Sequence, residues 1–317
     1  MILVTGAAGF IGFHVAKKLC DRGGEVIGID NLNSYYDPAL KVARLAELKD
    51  EKRFLFEKID ICDPDGIDAL FRRYAIDRVC HLAAQAGVRH SITDPRSYQR
   101  SNNEGFLNII EMVRKYRPRN FVYASSSSVY GANTKLPFSE DDPTDCPLSL
   151  YAATKKANEL VAKCYSHLYG INTTGLRYFT VYGPWGRPDM ALFKFTRAIL
   201  ADEPIEVYNN GRMRRNFTYI DDIVAGTLCA LDRPAPGEIL NVGNDRAENL
   251  MDFIAEIEKN CGKKAKIRFL PLQAGDVVDT VADIRRLKAL GYNPETDIDR
   301  GVAAFVGWYR HYYARQP

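Results

Sequence analysis

Long hydrophobic runs are missing from this sequence. No window of about 18 residues, the length a membrane-spanning helix needs, is apolar without a charge. No membrane span is therefore expected. Met1 leads straight into "ILVTG", without the basic segment and apolar stretch of a secretory leader, which predicts a cytoplasmic protein. An excess of charge is missing too, since the net charge is only +3. Two basic clusters, at 114–119 and 259–268, lie near expected helix ends, where the helix dipole favours cations. They lack the interleaved aromatics of a nucleic-acid groove, so no nucleic-acid partner is expected. Seven cysteines, an odd number, are scattered without C-x-x-C spacing, which excludes a disulfide frame and a zinc site and predicts reduced, mostly buried thiols. No metal is expected. Internal repeats and low-complexity tracts are absent as well.

What is present reads as an α/β protein. The 317 residues, 46% hydrophobic and 26% charged, have an ordinary globular composition and could form one large domain or two lobes. Short β-branched runs alternate with helical stretches through the first half. "ILVTG" (2–6) precedes a helical pattern from Phe10 to Arg22 and the run "EVIGID" (25–30). "FLFEKID" (54–60), "RVCHLAA" (78–84) and "NFVYASS" (120–126) continue the series. Such runs, apolar rather than alternating, predict strands buried on both faces of a parallel sheet. Their rhythm predicts a doubly wound, Rossmann-like layer. After "TTGLRYF" (173–179) the rhythm breaks, and the stretch 181–217, rich in Pro, Gly and Arg, holds one helical pattern near 190–201. Residues 221–233 and 238–243 read as a helix and strand rejoining the sheet, with later helices near 249–260 and 298–314. The expected division is discontinuous: a Rossmann domain of 1–180 plus 218–244, and a smaller α/β lobe of 181–217 plus 245–317.

Two constellations carry chemistry. Gly6, Gly9 and Gly12 fall between the first strand and its helix, where they let backbone approach a pyrophosphate at the helix N-terminus. The spacing is G-x-x-G-x-x-G, and Asp30 ends the next strand 18 positions after Gly12. A carboxylate there accepts both ribose hydroxyls and repels a 2′-phosphate. No arginine directly follows it, so NAD is expected rather than NADP. Second, "YAATK" sets Tyr151 and Lys155 at i and i+4, on one helical face. A tyrosine titrates near ~10 and is a poor base at neutral pH. A nearby ammonium, here Lys155, is expected to lower that pKa. Ser126 lies 25 residues before Tyr151, in the run "SSSSVYG", and is placed to share the substrate hydroxyl's hydrogen bond.

These motifs together resemble the extended short-chain dehydrogenase/reductase superfamily. Within it, "DNLNSYYDPALK" (30–41), "HLAAQAGVR" (81–89), "RYFTVYGPWGRPDMA" (177–191) and "NFTYIDDIV" (216–224) resemble nucleotide-sugar 4-epimerases acting on UDP-glucuronate. The resemblance spans essentially the whole chain. It implies Ser126, Tyr151 and Lys155 as catalytic residues. It implies a cofactor site of Gly6, Gly9, Phe10, Ile11, Gly12, Asp30, Asn31 and Asn33, with Asp60 and Ile61 beside the adenine. Leu82, Ala83, Ala84 and Gln85 match the strand end under the cofactor, Asn102 the residue that orients this segment, and Tyr178 a contact near the nicotinamide. Thr180, Arg215, Gln273 and Asp276 match positions that hold the nucleotide, in a lobe that binds the UDP-sugar. Arg89 and Arg187 are read as unpaired cations facing the pocket. Two departures stand out: Asn216 where the family usually has Asp, and Asp279 where a basic residue is common. Both concern the details of nucleotide binding more than the chemistry.

The serines set the expected reaction apart from its relatives. Sugar dehydratases carry an acidic pair after the catalytic hydroxyl, and decarboxylases of UDP-glucuronate usually have Glu in the same loop. Ser127 and Ser128 stand there instead, and hydroxyls hydrogen-bond a substrate carboxylate without repelling it. The implied reaction is reversible epimerisation of UDP-glucuronate and UDP-galacturonate at C4. Tyr151 removes the hydroxyl proton, hydride passes to a tightly bound NAD, the 4-keto sugar turns over, and hydride returns to its other face. Epimerisation of UDP-glucose and UDP-galactose is the alternative, and decarboxylation is disfavoured by the missing acid. A non-catalytic NAD sensor would be expected to lose the Tyr–Lys pair. Helices near 95–116 and 149–169, with Ala157, Val161, Cys164 and Leu168, could pack against a second copy as family members commonly do, so a homodimer is expected.

Overall fold

The computed structural model of the protein describes residues 1–272 and 277–314. Seven strands form one sheet: β1 (Ile2–Thr5), β2 (Val26–Ile29), β3 (Phe54–Glu57), β4 (Arg78–His81), β5 (Asn120–Ser126), β6 (Thr173–Tyr178) and β7 (Glu238–Val242). Their order is β7-β6-β5-β4-β1-β2-β3, and every pairing is parallel. The strands are the expected ones, each ending within a few residues of its sequence pattern. Order reverses between β1 and β4, and in doubly wound sheets the crevice beyond the strand ends at that point is where ligands bind.

Helices α1 (Phe10–Asp21), α2 (Pro38–Leu48), α3 (Pro64–Arg73), α4 (Gly105–Tyr116), α5 (Leu150–Tyr169) and α7 (Ile220–Leu231) accompany the sheet, and α6 (Ala191–Leu200), α8 (Leu250–Cys261) and α9 (Ile298–Tyr313) build the smaller lobe. Every residue of β1 and β2 is buried, as parallel strands covered by helices should be. The edge strand β3 departs from that expectation: none of its residues is fully buried and Leu55 is exposed, because cover thins at the sheet's edge. The helix expected over 95–116 is also interrupted. A short helix, Pro95–Tyr98, passes into a π-helical stretch, Gln99–Glu104, before α4 begins. Such widened turns recur at functional sites, and this one carries the buried Asn102.

The smaller lobe has its own core, in which Phe193, Ile199, Phe253, Ile257, Val302 and Phe305 pack together. Trp185 and Tyr219 touch both this core and that of the sheet. Parallel pairs of short strands, Thr180–Tyr182 with Phe217–Tyr219 and Pro204–Val207 with Lys266–Phe269, join segments distant in sequence. Segments of three or four residues carry too little pattern to be read beforehand.

The two departures from the family pattern turn out to be scaffold. Asn216 is fully buried; its Nδ2 donates to the Asn244 and Arg246 carbonyls at 2.6 and 2.8 Å, and its Oδ1 accepts from Thr218 and the Asn244 N–H at 3.0 and 3.1 Å. A carboxylate would have no donor to offer those carbonyls. Asp279 accepts from the Arg214 backbone at 3.2 Å and pairs with its guanidinium at 3.4 Å. Neither side chain lines the cleft.

Candidate active site

A cleft of about 1080 Å3 opens beyond the strand ends and runs against the smaller lobe. Pockets for one small molecule occupy roughly 300–1,000 Å3, so this cleft has room for two ligands side by side.

One end is built from the glycine turn. A Cβ on Gly12 would lie 2.1 Å from the Gly6 carbonyl oxygen, so only glycine allows α1 to start this close to the strand. Helix α1 begins at Gly9 with no side chain capping it and no acid in its first turn. Its N–H groups and the positive end of its dipole thus remain available to an anion. Phe10 and Ile11 continue this wall. Asp30 lies across from it at the end of β2. Its Oδ1 takes the Leu32 N–H at 2.8 Å and the Lys41 ammonium at 3.6 Å, leaving Oδ2 without a hydrogen bond among the described residues. Lys41 was not legible as a site residue: it sits on α2, eleven positions on, and also donates to Asn33 at 3.0 Å.

Asn31, Asn33, Ile61 and Leu82 to Gln85 line the same region. Asp60 and Asn102 stand behind that lining. Asp60 accepts from Asn31 at 3.2 Å behind the wall. Asn102 brackets the Gln85 backbone, accepting from its N–H at 2.8 Å and donating to its carbonyl at 3.0 Å, and so fixes the loop after β4. Gln85 Nε2 is buried with no hydrogen-bond partner. That orphaned donor, the free Asp30 oxygen and the uncapped helix fit a dinucleotide.

Tyr151 and Lys155 project from the first turns of α5, whose N-terminus is capped by Ser149 accepting from the Ala152 N–H at 3.1 Å. Both line the cleft beside Ser126. Lys155 donates to the Ala124 carbonyl at 2.9 Å, and burial pulls its pKa down to about 8. Burial also raises Tyr151, and the groups opposing that rise are the Ser126 hydroxyl and the Arg187 charge. Lys155 is not among the groups that act most strongly on Tyr151. The ammonium is turned to the β5 backbone, and Arg187 supplies the field instead.

The four serines divide. Ser125 donates to Glu159 Oε1 at 2.6 Å, and the same carboxylate holds Arg177 through two bonds of 2.8 and 2.9 Å, all buried. Ser126 ends β5, and its hydroxyl lies 3.2 Å from that of Ser128. Ser127 and Ser128 open a 3-10 turn, Ser127–Tyr130, on the cleft wall.

Thr180, Tyr178, Arg89, Arg187 and Arg215 all line the cleft. Tyr178 turns its hydroxyl away, to Thr227 at 2.8 Å. Arg187 is not unpaired, as expected, but bound to Asp189 through two bonds of 3.0 and 2.5 Å. Arg89 stacks over the Tyr208 ring at 4.8 Å, and Arg215 donates to the Val278 carbonyl at 2.7 Å. Lys194 and Arg197 of α6 add two further cations, missed because α6 reads as an ordinary amphipathic helix. Gln273 and Asp276 lie outside the described residues. Among the described residues no group of His, Cys, Asp or Glu could hold a metal ion, and no helix is long and apolar enough to cross a membrane.

Known proteins are similar to this one along nearly the whole chain. Protein CapI of Staphylococcus aureus is 50% identical over 99% of both chains. UDP-glucuronate 4-epimerase 4 of Arabidopsis thaliana is 48% identical over 99% of this chain and 76% of its own. The crystal structure of UDP-glucuronic acid 4-epimerase from Bacillus cereus, in complex with UDP-glucuronic acid and NAD, superposes with a TM-score of 0.93 at 36% identity, covering 98% of this chain and 99% of that one. Residues 2–243 match the description of one family, and with these relatives they establish that the chain belongs to the NAD dependent epimerase/dehydratase family.

Proposed function

We propose that the protein interconverts UDP-glucuronate and UDP-galacturonate by NAD-dependent epimerisation at C4. The observation that carries this reading is one cleft wall holding Tyr151, Lys155 and Ser126 together with the Arg187 guanidinium and, in the turn directly after β5, the hydroxyls of Ser127 and Ser128 rather than an acid. Relatives of the same length named for this reaction support it.

The glycine turn, Asp30, Asn31, Asn33 and the segment Leu82–Gln85 would hold NAD, which when bound would accept hydride from C4 of the sugar and give it back to the ketone. Tyr151 takes the proton of the 4′-hydroxyl, with Ser126 sharing that hydrogen bond. The positive end of α5 and the Arg187 charge favour the phenolate. Lys155 fixes α5 against β5 and keeps positive charge beneath the site. Thr180, Arg215 and the cations of α6 anchor the UDP while the 4-keto sugar turns over. Ser127 and Ser128 hold the carboxylate by neutral hydrogen bonds in both orientations, and Tyr151 returns its proton to the C4 oxygen whichever face of the ketone is presented for reduction.

The domain division is part of the same reading: residues 1–180 plus 218–244 bind cofactor, and 181–217 plus 245–317 bind the nucleotide sugar. So is a cytoplasmic homodimer. Exposed Leu160, Cys164 and Leu168 run along α5 at helical spacing, with exposed Leu107 on α4, an apolar stripe suited to a second copy.

The test is incubation of UDP-glucuronate with the pure protein and no added cofactor, followed by proton NMR and mass spectrometry. UDP-galacturonate of unchanged mass supports the proposal. A pentose product, or turnover of UDP-glucose alone, overturns it.

A further inference from the structure

Asp189 reaches Arg187 from one side only. It accepts from Nε at 3.0 Å and from Nη2 at 2.5 Å, a side-on pairing that uses two of the five N–H groups a guanidinium carries. The opposite, end-on edge, made by Nη1 and the second Nη2 hydrogen, has no partner among the described residues. Asp189 is itself held from behind, since Tyr35 donates to its Oδ2 at 3.2 Å. Tyr35 comes from the segment after Asp30, at the cofactor end of the cleft, so the contact joins the two lobes. The clamp packs against Gly87, where a Cβ would lie 2.7 Å from the Tyr35 hydroxyl and the φ of +104° already favours glycine. All four residues line the cleft.

We propose that Asp189, supported by Tyr35, is a positioning residue that presents the end-on edge of Arg187 to the substrate carboxylate and so sets the preference for uronic acids over neutral sugars. This rests on the reading that Arg187 meets that carboxylate. Asp189 offsets much of the charge that Arg187 would otherwise present to a substrate carboxylate, although the guanidinium stays ionised. Its selectivity then comes from direction. Two parallel N–H groups match the two oxygens of a carboxylate, whereas a hydroxymethyl group offers them one acceptor. Without Asp189 the side chain keeps its charge and loses its fixed angle, and the order must be supplied on binding.

The experiment is calorimetric binding of UDP-glucuronate and UDP-glucose to the full chain with its bound cofactor, for wild type, Asp189→Asn, Tyr35→Phe and Arg187→Ala. Asp189→Asn is expected to weaken UDP-glucuronate about 10-fold, and Tyr35→Phe about 3-fold, with UDP-glucose within about 2-fold. Tyr35→Phe removes one hydroxyl and keeps the ring, so it tests the clamp even if Asp189→Asn misfolds. If Arg187→Ala is selective but both clamp variants change the two sugars equally, or not at all, the clamp is rejected and the carboxylate reading stands. Tighter UDP-glucuronate binding in Asp189→Asn also rejects it, because Asp189 would then be a competitor. Equal losses for both sugars in Arg187→Ala remove the reading and the clamp together.

Discussion

Ser125 donates its hydroxyl to Glu159 at 2.6 Å, so one of four consecutive serines belongs to the scaffold. Glu159 lies one turn after Lys155 on α5 and also grips Arg177 on β6, tying the catalytic helix to two strands. Glu159→Gln leaves the buried Arg177 charge uncompensated and is expected to cost about 3–5 kcal/mol of unfolding free energy. Ser125→Ala removes one hydrogen bond to a charged group and should cost roughly 1.5–3 kcal/mol. Urea unfolding of both variants checks the order. A Ser125→Ala protein of wild-type stability with altered sugar selectivity would return that hydroxyl to the site.

Tyr151→Phe removes the proposed base and keeps the ring. Turnover should fall by well over ~10²-fold, the usual scale for a general base, while nucleotide-sugar binding persists. Steady-state kinetics with a binding titration separates the two effects. Near-normal turnover would take Tyr151 out of the mechanism.

Lys155 predicts a trade between stability and catalysis. Burial lowers its pKa from 10.5 to about 8, so between those values the unfolded chain holds a proton that the folded chain does not. This group's contribution to stability therefore rises with pH across that window, and at neutral pH a charged, buried lysine is unfavourable. At about 1.36 kcal/mol per pKa unit the penalty is on the order of 3 kcal/mol, less whatever the Ala124 hydrogen bond returns. Lys155→Met should abolish turnover yet unfold later than wild type at pH 7, with the advantage fading toward pH 10.5. An equal or earlier transition at pH 7 would show that the hydrogen bond outweighs burial.

Arg187 is the cation that lowers the Tyr151 pKa against the effect of burial. In Arg187→Ala the phenol should therefore ionise at higher pH, and the acidic limb of the residual kcat profile should move up. The pH dependence of turnover at saturating substrate reads this directly. An unmoved limb would mean that the two side chains do not sense each other during turnover.

Sequence showed the sheet because parallel strands are buried on both faces, and burial writes an unbroken apolar run such as "EVIGID". It showed Gly12 and Asp30 because one backbone approach demands glycine and one ribose demands an acid at a strand end. It did not show Asp189 or Lys41 at work. Each acts through a pairing across elements, Asp189 with Tyr35 154 positions earlier and Lys41 with Asp30 from another element, and charge pairs of that kind leave no periodic mark. Reading Arg187 as unpaired failed for another reason: its partner Asp189 stands only two positions on, in an irregular loop where spacing says nothing of which side chains meet. The split of Ser125 from Ser126 follows from strand alternation, since neighbours in β5 point to opposite faces, but Glu159 had to be placed before that alternation had a meaning.

Ser127 and Ser128 stand where an acid would promote loss of the carboxyl group, and their turn starts directly from Ser126. In a 4-keto uronate the carboxylate is β to the ketone. If the C5–C6 bond comes to stand perpendicular to the ketone plane, where it overlaps the carbonyl π system, that bond breaks, carbon dioxide leaves, and its electron pair forms an enolate that takes a proton at C5. Hydroxyls that hold the carboxylate out of that alignment protect the intermediate. Replacing both serines with alanine keeps the end of β5 and leaves Ser126 and Tyr151 to begin oxidation. Some turnovers should then end in carbon dioxide and a 4-keto pentose, with the hydride never returned and the cofactor left reduced. Each such event stops one enzyme molecule, so even a rare escape accumulates as absorbance at the reduced nicotinamide band. NMR of the released sugar identifies the pentose. A double variant that epimerises slowly, with neither reduced cofactor nor pentose appearing, would leave the two hydroxyls without a part in holding the carboxylate.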